Sequence, residues 1–97
     1  MFPIIDMHCD TISGIYERRK QGENINLREN DMHLDLLRMK QGGYLCQCFA
    51  LYSPLQALRD AGIDPYEYAV ALSDTLDAEV AANPDLVQPV TTAAQIL

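Results

Sequence analysis

Ile4-Ile5-Asp6-Met7-His8-Cys9-Asp10 concentrates the chemistry of this chain. Residues two apart on a strand point to one face. An extended path therefore gathers Asp6, His8 and Asp10 on one side and turns Ile5, Met7 and Cys9 to the other. An imidazole beside a carboxylate at a strand end suits a divalent cation, because both are ordinary zinc ligands at ~2.0–2.2 Å. His8 and Asp10 are the candidate metal ligands. The plainer reading has His8 bonded to a backbone carbonyl and Asp10 capping the next helix. A second H-x-D, His33-Leu34-Asp35, comes after a polar loop and precedes a helical pattern. There Asp31 or Asp35 reads as a helix cap, and His33 as a surface or packing residue. A catalytic zinc takes about three protein ligands and an open position, and a two-metal site takes more. His8, Asp10, His33 and Asp35 would supply four ligands only if the two segments met, which nothing in the pattern requires, and no catalytic side chain is identified within the chain.

Thiol chemistry fits less well. Cys9 points away from His8 on the strand, which makes a poor nucleophile–base pair. Cys46-Gln47-Cys48 puts two thiols on one strand face. With three cysteines in all, reduced, buried thiols are the plain reading and a soft-metal C-x-C site the sharper one. Asp6-Met7-His8 is also a D-x-H, the opening signature of dimetal phosphoesterases, but no G-D-x-x-D-like segment comes after it. No Gly-rich phosphate loop occurs.

The elements that must position these residues can be read from pattern. Residues 3–9 read as a strand, with Pro3 at its start. Thr11 to Lys20 reads as a short helix with a basic end, stopped by Gly22. Gln21 to Asn30 reads as a polar loop. Asp31 to Gly43 carries a helical pattern in Leu34, Leu37 and Met39, and Gly42-Gly43 ends it. Tyr44 to Tyr52 is nearly all apolar and reads as a strand covered on both faces, as in parallel sheets. Ser53-Pro54 is a cap with Pro at the first helical position, for a short helix to Gly62. Asp64-Pro65-Tyr66-Glu67 is the strongest helix start. Ala69, Leu72, Leu76 and Val80 then recur as one buried face, with Asp74, Asp77 and Glu79 off it, until Asn83-Pro84 stops the helix. Leu86 to Val90 is a short extended piece. Thr92-Ala93-Ala94-Gln95 has the form of a capping box, so the chain ends at Leu97 about one turn into a further helix and looks cut. Helices alternating with strands predict βαβ units and a parallel sheet. Two strands alone are too few for an independent sheet.

A chain of 97 residues with 48% hydrophobic and 22% charged side chains is globular in composition and bounds one small domain. No apolar run reaches the ~20 residues that span a bilayer. The N-terminus has no basic region and its apolar run is broken by Asp6, so neither a signal peptide nor a transmembrane segment is expected, and the location is expected to be cytoplasmic. The net charge of −7 is uneven: residues 1–59 hold seven acidic and seven basic side chains, residues 60–97 seven acidic and none basic. Phosphate contact needs clustered Lys and Arg, so nucleic acid is not expected as a partner. The acidic half reads as a solvated helix face.

Two blocks resemble a known family. Ile5-Asp6-Met7-His8-Cys9-Asp10-Thr11 resembles the opening strand of the membrane dipeptidase (renal dipeptidase) family, with its I-D-x-H-x-D pattern. His33-Leu34-Asp35-Leu36, Arg38, Gly42-Gly43, Gln47 and Phe49-Ala50-Leu51-Tyr52 resemble that family's H-x-D-L-x-R-x-x-x-G-G-x-x-x-Q-x-F stretch. Asn83-Pro84-Asp85 through Thr91-Thr92-Ala93 resembles the segment leading to its next barrel strand. The resemblance implies an α/β fold, the N-terminal portion of a (β/α)8 TIM barrel of the metal-dependent hydrolase type, incomplete in this chain. Residues 1–97 would then be a single partial domain holding the first two strands and their helices, about a quarter of a barrel of ~250 residues. The activity implied is a zinc metallopeptidase of amidohydrolase-like architecture that hydrolyses dipeptides, with two zinc ions, His8 and Asp10 binding one of them, the second H-x-D outside the metal site, and the remaining ligands and catalytic residues expected beyond residue 97, so that these 97 residues alone are expected to be inactive. A homo-oligomer is compatible with this. The alternative outside catalysis is a truncated, silent fragment that persists by pairing its exposed strand edge with another chain.

Overall fold

The structure is a computed structural model and describes residues 2–96; Met1 and Leu97 lie outside them. Two strands, β1 (Ile4–Asp6) and β2 (Tyr44–Gln47), pair in parallel, with Ile4 opposite Tyr44, Ile5 opposite Cys46 and Asp6 opposite Gln47. An irregularity between Ile4 and Ile5 shifts the register. The helices are α1 (Thr11–Lys20), α2 (Leu36–Gln41), α3 (Leu55–Asp60), α4 (Pro65–Ala82) and α5 (Ala93–Ile96). The result is a small mixed helix–strand unit in which α1 and α2 connect two parallel strands, as the alternating pattern predicts.

Local signals explain most boundaries. After α1, the Gly22 N–H bonds the Arg19 carbonyl and the Glu23 N–H the Arg18 carbonyl. This closure needs a left-handed residue, and Gly22 supplies it at φ 89°. α3 ends the same way at Gly62, φ 71°, where the Ile63 N–H returns to the Leu58 carbonyl. α4 starts as expected: the Asp64 carboxylate accepts from the Tyr66 N–H, Pro65 opens the helix and Glu67 lies in its first turn. At α5, Gln95 Oε1 accepts the Thr92 N–H at 3.0 Å, which is half of a capping box. The α3 start differs by one residue. Pro54 holds the cap position, and the Ser53 hydroxyl instead bonds the Leu51 carbonyl.

The core lies among the helices. Ile12 and Ile15 of α1, Leu36 and Met39 of α2, Leu58 of α3, and Tyr68 and Leu72 of α4 bury together with Ile25 and Leu27. The last two come from the segment expected to be a polar loop; it is irregular, yet it turns two aliphatic side chains inward. The strand expectation for Tyr44 to Tyr52 is corrected in length and in burial. Regular pairing stops at Gln47, although the Cys48 N–H still bonds the Asp6 carbonyl and the Ala50 N–H the Cys9 carbonyl. Leu45 and Tyr52 are exposed, as are Ile4 and Ile5 of β1, so the described residues leave apolar positions of the sheet uncovered. Residues 3–9 likewise contain a strand of only Ile4–Asp6.

The buried face of α4 is rotated from the expected one. Leu72 is fully buried, but Tyr68 and Glu79 accompany it, while Ala69 and Val80 are only half-buried. Packing against α1 sets this rotation. Tyr68 meets Tyr16 edge-on at 5.4 Å between ring centroids, and its hydroxyl donates to Glu17 at 2.5 Å. Burial and that acceptor both push the Tyr68 phenol above its ordinary value. Glu79, expected on the solvent side, accepts from the Leu27 N–H and from Arg19, each at 2.8 Å. No helix among the described residues is long and apolar enough to cross a membrane.

Candidate metal centre

β1 ends at Asp6, so His8 and Asp10 stand just past its C-terminal end rather than on the strand. Their side chains nevertheless converge: His8 Nε2 lies 3.0 Å from Asp10 Oδ1, with both side chains more than half exposed. Asp10 occupies the cap position of α1, yet its side chain caps no backbone N–H. The capping reading therefore does not hold for its carboxylate, which turns to His8. Asp6 does not join the pair. Its Oδ2 accepts from Gln47 Nε2 at 2.6 Å across the sheet, so the D-x-H of a phosphoesterase finds its carboxylate turned to another partner.

A tetrahedral ion with bonds of ~2.0–2.1 Å holds two ligand atoms roughly 3.3 Å apart. The His8–Asp10 separation is close to that, and a neutral imidazole with a carboxylate is a zinc donor set. The two residues therefore fit one edge of a zinc coordination sphere. Among the described residues no group of three or more His, Cys, Asp or Glu side chains converges, so they are two donors toward a site that takes at least three. A broad groove along β2, walled by Tyr44, Phe49, Leu76, Val80 and Leu86, is lined by neither His8 nor Asp10.

The second H-x-D is structural. Asp35 is almost fully buried and caps α2, accepting from the Arg38 N–H at 2.8 Å and from the Asn30 N–H at 3.1 Å. Arg38 folds back to donate from Nε to Asp35 and from Nη2 to the Met32 carbonyl. His33 is exposed. Burial pushes the Asp35 carboxyl up, but the Arg38 and Asn30 N–H groups and the Arg38 guanidinium outweigh it, and the group lies below its ordinary 3.8. A carboxyl lowered on folding stabilises the fold fully above its unfolded value and loses that contribution as pH falls through the folded one. Acid unfolding of Asp35→Asn is therefore expected to show a weaker pH dependence below about pH 4 than the wild type, measured by circular dichroism. An unchanged dependence would show that Asp35 does not drive it.

The cysteines are free: Cys9 and Cys46 half-buried, Cys48 exposed. The expectation of buried thiols is thus corrected, since the sheet edge carrying Cys48 is uncovered. Burial pushes the Cys9 thiol up, against hydrogen bonds with the Thr11 backbone and hydroxyl, which leaves it a poor nucleophile at neutral pH.

Sequence reasoning did not find the Asp6–Gln47 couple. The register that makes these residues neighbours depends on the irregularity after Ile4, for which the sequence carries no signal. Gln47 Oε1 is buried without a hydrogen-bond partner, a state that costs about 1–3 kcal/mol.

Comparison with the curated proteins and with the solved structures found no match. The family model described as membrane dipeptidase, peptidase family M19, matches residues 1–97. That span takes in both the His8–Asp10 pair and the Asp35–Arg38 clamp, and the chain belongs to the membrane dipeptidase family.

Proposed function

We propose that this chain forms part of a zinc-dependent dipeptidase on a (β/α)8 barrel, and that His8 and Asp10 are its first-strand metal ligands. The observation that carries the reading is the convergence of His8 Nε2 and Asp10 Oδ1 at the C-terminal end of a parallel strand, the end at which such barrels carry their sites. Membership of the family supports the substrate class. When bound, zinc supplies Lewis-acid polarisation of a peptide carbonyl and activation of water.

The chain's own residues hold and orient. His8 would offer its Nε2 to the metal, and Asp10 a carboxylate oxygen beside it. The main-chain bonds from Cys48 to Asp6 and from Ala50 to Cys9 anchor the backbone that carries both. The Asp35–Arg38 clamp orders the turn leading into α2 and so into β2. The alternating order of helices and parallel strands supports the barrel architecture.

Metal removal tests the reading. Dipeptide hydrolysis by the intact enzyme of which this chain forms part, read as release of free amino acid, is expected to disappear on chelation and to return when zinc is restored. Hydrolysis that persists in the chelated, zinc-free protein would overturn it.

A further inference from the structure

We propose that Gln47 is a positioning residue for the His8–Asp10 pair, acting through Asp6. The proposal rests on the zinc reading of that pair. Asp6 and Gln47 are the last residues of the two strands and face each other in register. Gln47 Nε2 donates to Asp6 Oδ2 at 2.6 Å and to the Cys48 carbonyl at 3.0 Å. The amide nitrogen is thereby fully used, while Oε1 stays buried with no donor. A methionine at this position would fill similar space without burying an unsatisfied acceptor. Only the N–H2 end of the amide does anything here, and its role is to hold Asp6. A carboxylate accepts only, so a donor must come from the facing strand.

Holding Asp6 matters because the next few residues carry the metal pair. Residues 7–10 have no regular structure. The side chains of His8 and Asp10 are 66% and 55% exposed, so packing does little to orient them, and their direction is set by the backbone from which they spring. That backbone is tied to the β2 end through the Asp6 carbonyl, the Cys9 carbonyl and the Asp6 side chain. The first two bonds survive any change of side chain. The third is the one a substitution at position 47 can remove. Groups hydrogen-bonded directly to metal ligands typically change metal affinity 10–100-fold; Gln47 acts one bond further out, so an effect at the lower end of that range is expected.

The test is a zinc titration of the complete protein, which holds the remaining ligands, monitored on the ring resonances of His8 by NMR with the exposed His33 ring as internal reference. Gln47→Met is expected to change the melting temperature little, because loss of the orphan acceptor offsets loss of the donor to Asp6 and the Cys48 carbonyl, while the zinc dissociation constant at His8 rises about tenfold. Asp6→Asn keeps an acceptor for Gln47 Nε2 and is expected to hold most of the affinity. If Gln47→Met does not fold, Asp6→Ala removes the same bond from the other strand and is expected to weaken zinc to a similar degree. Wild-type zinc affinity in the variant that removes the bond would overturn the proposal, as would an Asp6→Asn variant that binds as weakly as that one. Zinc that leaves the His8 ring unmoved in the unsubstituted protein would instead overturn the zinc reading itself, and this proposal with it.

Discussion

In the intact enzyme of which this chain forms part, His8→Ala is expected to lose bound zinc and dipeptide hydrolysis together, with kcat/KM lower by roughly 100-fold or more. Among the described residues His8 supplies the imidazole at the end of β1, and Asp10 is the acidic group paired with its Nε2. Removing it takes one of the two donors that this strand end offers from a site that takes at least three. Because the side chain is 66% exposed, the substitution should leave the fold intact. Melting temperature and zinc content therefore separate the two effects. Zinc content and turnover both at the wild-type level in His8→Ala would sink the assignment of His8. By contrast, His33→Ala is expected to change neither, since the second H-x-D caps a helix.

The second large effect belongs to Glu79. Its carboxylate is 8% exposed and accepts from both the Leu27 N–H and the Arg19 guanidinium. Glu79→Ala removes the acceptor of a buried backbone donor and one half of a partly buried ion pair. Breaking a fully buried pair costs about 3–5 kcal/mol. Arg19 is 39% exposed and can turn to water, so about 2–4 kcal/mol is the expected loss. For a chain whose total stability is on the order of 5–15 kcal/mol, that is a large share. Glu79→Gln keeps a carbonyl for the Leu27 N–H and is expected to cost about half as much. Urea unfolding monitored by circular dichroism reads both. Equal losses for Ala and Gln would mean that the charge on Glu79, and not its hydrogen bond to Leu27, holds the loop.

Glu79 also shows where sequence reading stops. Its position lies outside the apolar stripe of α4, and a carboxylate on a helix in an acidic segment is ordinarily solvated. It is buried because Tyr68, stacked edge-on against Tyr16, turns the helix about one residue from the expected face. That turn brings Glu79 under the 25–27 segment, where Leu27 and Arg19 supply the donors a buried carboxylate needs. The rotation and the burial of Ile25 and Leu27 depend on which neighbours pack against them, which residue spacing alone does not decide.

Local sequence alone determined the helix ends at Gly22 and Gly62, the start of α4 at Asp64-Pro65, a cap at Asp31 or Asp35, and the family to which the two motif blocks belong. These are short-range properties: φ preference, capping chemistry and residue type at fixed spacing. Tertiary structure alone decided that β1 stops at Asp6, that Asp10 turns to His8 instead of capping α1, and that Gln47 takes Asp6 away from the metal pair. Each of those outcomes depends on which partner lies within about 3 Å, and cross-strand register and helix rotation set that distance.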